Sequence, residues 1–232
     1  MTLEDILADL RVQRSAARHA ETGVWVAAVL RERIAAGQLA PGSKLSEEAL
    51  GEALGVSRNT LREAFSALAA EHVVTRIPNR GVYVARPSSA DIREIYRVRR
   101  YLEPAALAWS SSTDFTTLRA AVERARVARD ARSAAGMADA NQDFHAGVVE
   151  LAGSERLTLL MRQVLAEMRL VFHSMVNEPA FHAPYVEDNA RIVLLLEGGK
   201  RDEAGELLTD YLRRAEEQLL AVLAEESGIR AS

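Results

Sequence analysis

The 232-residue chain contains no cysteine. Disulfide bonds, thiolate catalysis and cysteine-ligated zinc sites are therefore excluded together. No stretch approaches the ~20 consecutive apolar residues that a membrane-spanning helix needs. The first 14 residues, MTLEDILADLRVQR, carry acidic side chains among the apolar ones, which is unlike a signal peptide. These absences predict a cytoplasmic protein that does not interact with membranes.

The chain also lacks an overall excess of basic residues, since its net charge is −4. The charge is unevenly distributed, however. Residues 54–86 hold five arginines against two glutamates, whereas residues 87–232 hold 18 basic and 23 acidic residues. Attraction to phosphates requires only a local positive region. We therefore expect the first part of the chain to contact nucleic acid and the second part to have a different task.

Residues 46–68, SEEALGEALGVSRNTLREAFSAL, have the pattern of two short helices joined by a tight turn. Ser46 and Ser57 are suitable N-caps, and Gly55 can take the positive φ that ends the first helix. Each helix has one apolar face, made of Ala49, Leu50, Ala53 and Leu54 in the first and of Leu61, Ala64, Phe65 and Leu68 in the second. The second helix presents Arg58, Asn59, Arg62 and Ser66 on its other face. This pattern fits a helix-turn-helix that binds DNA, and it fits equally a structural helical hairpin with solvated charges.

The flanking segments favour the DNA-binding interpretation. A helix is predicted from about Glu21 to Gly37, and two β-prone runs, 73–77 and 82–84, are joined by the turn sequence Pro78-Asn79-Arg80-Gly81. Three helices followed by a hairpin with an arginine at its tip make a winged helix-turn-helix. We assign it to residues 21–86, preceded by an N-terminal arm (1–20) and followed by a linker (87–89).

Residues 90–232 predict an all-α bundle of six or seven helices that holds no strand. The first helix begins after Ser89, a suitable N-cap, and Pro104 is expected to kink or break it. The following helices are expected at about 114–135, 137–152, 155–177, 184–197 and 200–226. Breaks are predicted at Gly136, Gly153-Ser154, Pro179 through Pro184 and Gly198-Gly199. The predicted fold class is therefore mainly α, with a small β-hairpin wing.

The segment AAGQLAPGSKLSEEALGEALGVSRNTLREAFSALAAEHVVTRIPNRGVYV resembles the N-terminal domain of the GntR family of bacterial transcription regulators. The resemblance implies DNA contacts by Arg58 and Arg62 on the recognition helix, by Ser57, Asn59 and Thr60 at its start, and by Arg80 and Gly81 in the wing. Arginine suits such contacts because its planar fork can bond guanine O6 and N7 together. One position departs from the family, since Glu48 stands where arginine is frequent.

The second half is similar to the FCD effector domain of the FadR subfamily. The similarity rests on DIREIYRVRRYLEPAALAWS, NQDFHAGVVELAGSERL and EDNARIVLLLEGGKRDEAGELLTDYL. Many FCD domains bind a divalent metal through an aspartate, a histidine four residues later and two further histidines. The matching positions here are Asn141, His145, Asn189 and Tyr211. Since amides and a phenol are weak ligands for zinc, nickel or manganese, we expect no metal cofactor.

The resemblance implies that these four side chains point into one cavity, which predicts a metal-free pocket for a small organic ligand. Arg99 matches a family arginine that helps to bind carboxylate effectors, although it can equally be a surface residue, and His145 can equally be a satisfied core residue. The predicted function is a homodimeric transcription regulator that binds a short palindromic DNA operator. A carboxylate or acyl-type ligand would modulate its operator affinity. The alternatives are a constitutive dimeric DNA-binding protein and, less favoured, a metal-dependent helical-bundle enzyme; no catalytic set of residues is recognised.

Overall fold

The computed structural model describes residues 22–175 and 179–229 of the chain. These residues divide into two compact units with the boundary between Pro87 and Ser88, and the short segment 169–174 groups with the first unit. The described residues form nine helices and one small antiparallel sheet. The predicted fold class is confirmed. The predicted arm, residues 1–20, lies outside the described residues.

The first unit is built of three helices and three short strands. They are α1 (Thr22–Ala35), β1 (Lys44–Leu45), α2 (Glu47–Leu54), α3 (Arg58–Ala70), β2 (Val74–Ile77) and β3 (Gly81–Val84). The strand order is β1-β3-β2, and both pairings are antiparallel. The two-residue strand β1 was not predicted. It joins the wing by pairing Lys44 with Tyr83 and Leu45 with Val82.

The predicted start and stop signals of the helix-turn-helix are confirmed. The Ser46 hydroxyl accepts a hydrogen bond from the backbone N–H of Ala49 at 3.2 Å, and the Ser57 hydroxyl accepts one from the N–H of Thr60 at 3.2 Å. Gly55 ends α2 with φ 65° and ψ 37°, the left-handed conformation that glycine adopts without steric cost. These three residues therefore fix where α2 begins and ends and where α3 begins.

The core of the first unit lies between the helix-turn-helix, α1 and the sheet. The predicted inner face of α3 is fully buried, as is most of that of α2, where Ala49 alone is half-buried. Because α1 packs against α3, its apolar stripe completes the core. The central buried residues are Val26, Leu30, Ile34, Leu50, Leu54, Leu61, Phe65, Leu68, Val82 and Val84. Burial of one face of α3 leaves its opposite face in solvent.

Among the described residues, the second unit is a bundle of six helices, of which the fourth has residues 169–174 grouped with the first unit. They are α4 (Ser89–Trp109), α5 (Thr116–Asp130), α6 (Ala134–Glu150), α7 (Glu155–Met175), α8 (Pro179–Glu197) and α9 (Arg201–Ile229). The main contacts join α5 to α6, α4 to α9, and α8 to α5, α6 and α9, while α4 also contacts α6. Helices α4, α6, α8 and α9 thus bring their inner faces together.

The predicted helix breaks at Pro104 and from Pro179 through Pro184 are wrong, while the alternative of a kink at Pro104 stays a prediction. Helix α4 continues through Pro104, and α8 begins at Pro179 and continues through Pro184. A proline inside a helix removes one hydrogen bond. Because both helices pack along their length against other helices of the bundle, tertiary packing outweighs that local cost. Pro179 occupies the first helical position, where its missing N–H has no intrahelical partner to lose.

Two other boundaries differ from the prediction. Helix α4 is capped by Ser88 rather than Ser89, and the Asp91 carboxylate accepts in return from the N–H of Ser88. Gly136 does not interrupt a helix. It lies in the first turn of α6, where an added Cβ would be 2.9 Å from the Cβ of Ala128, so this glycine permits close packing. The break falls at residues 131–133, and Ser133 caps α6.

Candidate functional site

The exposed face of α3 carries the polar residues that the sequence places there. Arg58, Asn59, Arg62 and Ser66 are all exposed. Ser57, which precedes the helix, is exposed, and its hydroxyl lies 2.9 Å from that of the half-buried Thr60. The two hydroxyls and the N–H groups of the first turn therefore lie at the same helix end as Arg58. Such an end attracts anions, because its N–H groups have no intrahelical acceptors.

The wing forms a second exposed basic element. Arg80 lies at its tip, where Asn79 has φ 60° and Gly81 has φ 109°. The conformation of Gly81 disfavours any side chain, and an added Cβ would lie 3.2 Å from the Lys44 side chain. The N–H of Arg80 bonds the carbonyl of Ile77 at 3.0 Å, which closes the turn. Glycine therefore keeps the tip narrow, so that the backbone can approach a binding partner closely.

A groove of about 540 Å³ separates the recognition helix α3 from the wing. Its lining includes Glu47, Arg62, Ser66, Arg76 and Asn79. The Arg76 guanidinium crosses from β2 to the helix and donates to the carbonyl of Arg62 at 2.7 Å. Of the predicted contact residues, Arg62 and Gly81 line this groove, whose two arginines are matched by two glutamates, Glu47 and Glu63. We call the exposed face of α3, the wing tip and this groove the recognition surface. Duplex DNA with its phosphates is a partner that fits it.

The second candidate site is a buried polar network in the helical unit, and its first members lie on α4. Arg99 and Glu103 are 2 % and 0 % exposed. Arg99 Nε donates to Glu103 Oε1 at 2.7 Å, and the guanidinium lies 5.0 Å from the centre of the Tyr96 ring. The interpretation of Arg99 as a surface residue is therefore wrong. Two charges in a protein interior are tolerated because they neutralise each other.

The network continues through α6, α8 and α9. Glu103 Oε2 lies 2.5 Å from His145 Nδ1, and His145 Nε2 lies 3.1 Å from the Tyr211 hydroxyl. Asn141 Oδ1 accepts from the Tyr211 hydroxyl at 2.9 Å and from Asn189 Nδ2 at 2.8 Å. The five residues predicted for the ligand site, Arg99, Asn141, His145, Asn189 and Tyr211, are thus brought together in one chain of hydrogen bonds.

Burial and charge set the protonation states within this network. Burial favours the neutral form of Glu103, but Arg99 and His145 outweigh it and hold the pKa of Glu103 below its ordinary value. Burial lowers the pKa of His145, an effect that Glu103 opposes without cancelling. Burial also raises the pKa of Tyr211 well above its ordinary value. At neutral pH the network therefore holds a carboxylate, a neutral imidazole and a neutral phenol.

The network does not satisfy all its own hydrogen-bonding capacity. Arg99 Nη2 and Asn189 Oδ1 are buried without a partner. Because the Glu103 carboxylate can only accept, Nδ1 of a neutral His145 carries the hydrogen and Nε2 is an acceptor. The single hydrogen of the Tyr211 hydroxyl then faces two acceptors, His145 Nε2 and Asn141 Oδ1. Buried polar groups are normally paired, so these unmatched atoms make the network the candidate ligand site.

Glu103 is the member that the sequence prediction missed. A signal was present, because Arg99 and Glu103 both lie on the stripe of α4 that carries Ile92, Tyr96 and Ala106. Charged residues at two successive turns of an apolar stripe indicate a buried ion pair more than a surface one.

Comparison with known proteins agrees with both halves of the structure. The model for bacterial regulatory proteins of the gntR family matches residues 23–84, and the FCD domain model matches residues 94–214. The chain belongs to the GntR family. A winged helix-turn-helix followed by an FCD domain is the architecture of its FadR subfamily, and the predicted family is thus confirmed. This GntR protein is accordingly a DNA-binding transcription regulator.

Two relatives extend over most of this GntR regulator, and a third matches about a third of it. The crystal structure of a GntR transcriptional regulator from Rhodococcus sp. RHA1 is 38% identical, covers 87% of this chain and 99% of its own, and superposes with a TM-score of 0.81. The Nta operon transcriptional regulator of Aminobacter aminovorans is 26% identical over 79% of this chain and 87% of its own length. The gluconate operon transcriptional repressor of Bacillus licheniformis is 42% identical over 36% of this chain and 34% of its own length.

The side chains of the polar network do not fit the divalent metal that many FCD domains hold. Asn141, Asn189 and Tyr211 are neutral, and His145 has both ring nitrogens within hydrogen-bonding distance of protein side chains. Throughout the two described segments, no three His, Cys, Asp or Glu residues are grouped so that they could hold a metal ion. Such ions need carboxylates and free imidazole nitrogens, and both oxygens of the one carboxylate in the network, Glu103, are paired with Arg99 and His145. The network therefore does not offer the ligand set that such a metal needs.

Stability of this regulator is expected to fall as the pH is lowered from 6.5 to 4. Burial lowers the pKa of His182 on α8 to about 4 from an ordinary 6.5. Between these values the unfolded chain binds more protons than the folded one, so acid favours unfolding by up to about 3 kcal/mol. His145, with its lowered pKa, acts in the same direction. Urea unfolding at a series of pH values measures the effect.

His182→Gln should flatten this pH dependence, because glutamine does not titrate in this range. The matched control is His72→Asn, at an exposed position with φ 56°, which asparagine tolerates. An equal pH dependence in wild type and His182→Gln would contradict the assignment to His182.

Proposed function

We propose that this GntR regulator binds its operator as a homodimer and that a small carboxylate ligand in the helical unit changes its operator affinity. The single observation that supports a ligand is the buried Nη2 of Arg99, which has no partner and lies beside a network with mismatched donors and acceptors. The regulator acts in the cytoplasm, where bacterial DNA lies. It uses no metal cofactor and catalyses no reaction. In the described residues no helix is both long and apolar enough to cross a membrane.

The DNA-binding half of the proposal rests on the recognition surface. Arg58 and Arg62 would contact base edges or nearby phosphates, Ser57, Asn59 and Thr60 would bond the backbone at the start of α3, and Arg80 and Gly81 would approach the DNA from the wing. A helix of this kind enters the major groove, and a dimer places two of them on related half-sites. Selection of duplexes from a randomised pool should therefore yield a two-fold symmetric sequence that binds two chains.

The ligand half of the proposal rests on complementarity to the network. A carboxylate can accept from Arg99 Nη2, and a hydroxyl or amine on the same ligand can donate to Asn189 Oδ1. Pairing a buried donor that has lost its water contributes more than forming a bond at the surface. Asn141, His145 and Tyr211 would orient the ligand by redistributing the hydrogen bonds that they now share. Ligand binding would thus complete a network that the protein alone leaves incomplete.

A thermal-shift screen of small organic acids tests the ligand proposal. Each acid is compared with its primary amide, which has the same shape and no charge. A bound acid at 100 times its dissociation constant should stabilise the protein by ~2.7 kcal/mol, while the amide should have little effect. Equal stabilisation by acid and amide would contradict the role of Arg99. No stabilisation by any carboxylate, hydroxy acid or sugar acid would favour a constitutive DNA-binding protein.

Two tyrosine variants localise the site. Tyr211→Phe removes a network hydroxyl and should weaken binding of an active acid by about 2- to 10-fold, the effect of one hydrogen bond. Tyr185→Phe is the matched control, because Tyr185 packs against the Tyr211 ring at 4.6 Å but bonds Gln218 outside the network at 2.8 Å. Isothermal titration of the full chain gives both affinities. Equal weakening by the two variants would place the ligand elsewhere.

A further inference from the structure

Arg62 is held at both ends in the groove between the recognition helix and the wing. Its guanidinium Nε lies 3.6 Å from Oε2 of Glu47, at the first position of α2. Its backbone carbonyl accepts from Arg76 Nη2 at 2.7 Å and from the Ser66 hydroxyl at 2.7 Å. Glu47 therefore acts on the head of the side chain, while Arg76 and Ser66 fix the backbone from which it extends.

The Glu47–Arg62 ion pair contributes little to the stability of the fold. The two side chains are 34% and 63% exposed, and ion pairs at such positions are weakened by water and salt. The carboxylate is also unfavourable for DNA affinity, because it lies on a surface that must approach phosphates. The N-terminus of α2 favours an acidic residue in its first turn, which Glu47 and Glu48 both provide. The contact with Arg62 distinguishes Glu47 from Glu48.

We propose that Glu47 is a positioning residue that sets the base preference read by Arg62. With Nε directed towards Glu47, the terminal Nη1 and Nη2 atoms remain available as a pair for O6 and N7 of one guanine. An arginine that is free to rotate can make other, single hydrogen bonds to other bases and to phosphates, so its preference for guanine is weaker. This inference rests on the proposed contact between Arg62 and a base.

The adjacent residue provides a matched control. Glu48 is also an acidic residue in the first turn of α2, and it is exposed. The partner of Arg62 among the described residues is Glu47. Glu47→Gln and Glu48→Gln remove the same charge from neighbouring positions, so both should raise affinity for all duplexes to a similar extent. Only Glu47→Gln should alter how Arg62 is oriented.

The experiment uses the full chain and a duplex that the wild type selects from a randomised pool. Dissociation constants are measured at fixed salt for that duplex and for a panel with each base pair replaced in turn. Arg62→Ala first identifies the base pair at which discrimination is lost. At that base pair Glu47→Gln should reduce discrimination by about 3- to 10-fold, part of the effect of a full two-bond contact. Glu48→Gln should leave the discrimination unchanged.

Two other outcomes would overturn the inference, and they are distinguishable. If Glu47→Gln and Glu48→Gln behave alike while Arg62→Ala loses discrimination, Arg62 reads a base without help from Glu47. If Arg62→Ala retains every base preference of the wild type, the contact between Arg62 and a base is itself wrong, and the positioning role fails with it. Thermal unfolding of each variant confirms that the compared proteins are equally folded.

Discussion

Glu103→Ala is expected to lower the free energy of unfolding of the helical unit by about 3–5 kcal/mol. The substitution leaves the buried guanidinium of Arg99 without its carboxylate and removes the acceptor of the hydrogen bond from His145 Nδ1. Leaving a buried charge without its partner is among the most destabilising effects that one substitution can have. Urea denaturation followed by circular dichroism measures the loss.

An exposed ion pair on the same helix provides the control. Glu94 pairs with Arg97 on α4, and both side chains are about 60% exposed, so Glu94→Ala should cost less than ~1 kcal/mol. Arg99→Met combined with Glu103→Leu removes both buried charges and should recover part of the loss. A small effect of Glu103→Ala, comparable to that of Glu94→Ala, would contradict the buried ion pair.

Arg58→Ala is expected to weaken operator binding by ~1–3 kcal/mol if Arg58 makes a two-bond contact with guanine. This corresponds to a factor of about 5 to 150 in the dissociation constant. Arg58 is exposed at the first position of α3 and packs into no core, so the fold should be unaffected. Gel-shift titration at several salt concentrations measures the effect and separates two kinds of contact. Loss of a base contact relaxes sequence preference, whereas loss of a phosphate contact lowers affinity for all sequences and reduces the salt dependence.

Arg213→Ala is the control for this experiment, because it removes the same positive charge from a different part of the chain. Arg213 lies on α9 in the helical unit and is exposed, with Asp210 as its neighbour at 3.4 Å. Both substitutions lower the net charge of the chain by one. Operator binding equal to wild type in Arg58→Ala, or an equal loss in Arg213→Ala, would contradict a specific role of the recognition helix.

The helix-turn-helix could be predicted from the sequence because its signals are local. Ser46, Gly55 and Ser57 determine the helix ends through bonds that reach no further than a few residues, and Leu61 to Leu68 repeat with the helical period. The strand β1 could not be predicted in this way. Two residues carry no period, and Lys44 and Leu45 are extended because β3, almost 40 residues later, provides their partners.

The helical unit shows where local signals fail. Pro104 and Pro184 are unfavourable in an isolated helix, yet packing against the rest of the bundle keeps both helices continuous. Gly136 resembles a helix break, but its role is to let α5 and α6 approach. In each case the deciding contact comes from another helix. Local sequence gives the number of helices and their approximate limits, whereas their ends depend on the packing.

Five of the six members of the buried network were predictable, but Glu103 and the connections it makes were not. Family resemblance places Arg99, Asn141, His145, Asn189 and Tyr211 at one site, and the structure brings them together. The family resemblance does not reveal that Glu103 links Arg99 to His145, because an Arg–Glu pair four residues apart is also common on helix surfaces. Only the burial of that face of α4 by the surrounding helices distinguishes the two cases.

Coupling between operator binding and ligand binding can be measured as the change in the dissociation constant for the operator when an acid is bound. The full chain is titrated with its selected duplex at fixed salt, first alone and then with a saturating acid from the thermal-shift screen. We predict a change of about 5- to 150-fold, corresponding to a coupling free energy of ~1–3 kcal/mol, and an equal effect of the duplex on the affinity for the acid. An operator affinity that is the same with and without the bound acid would contradict the account.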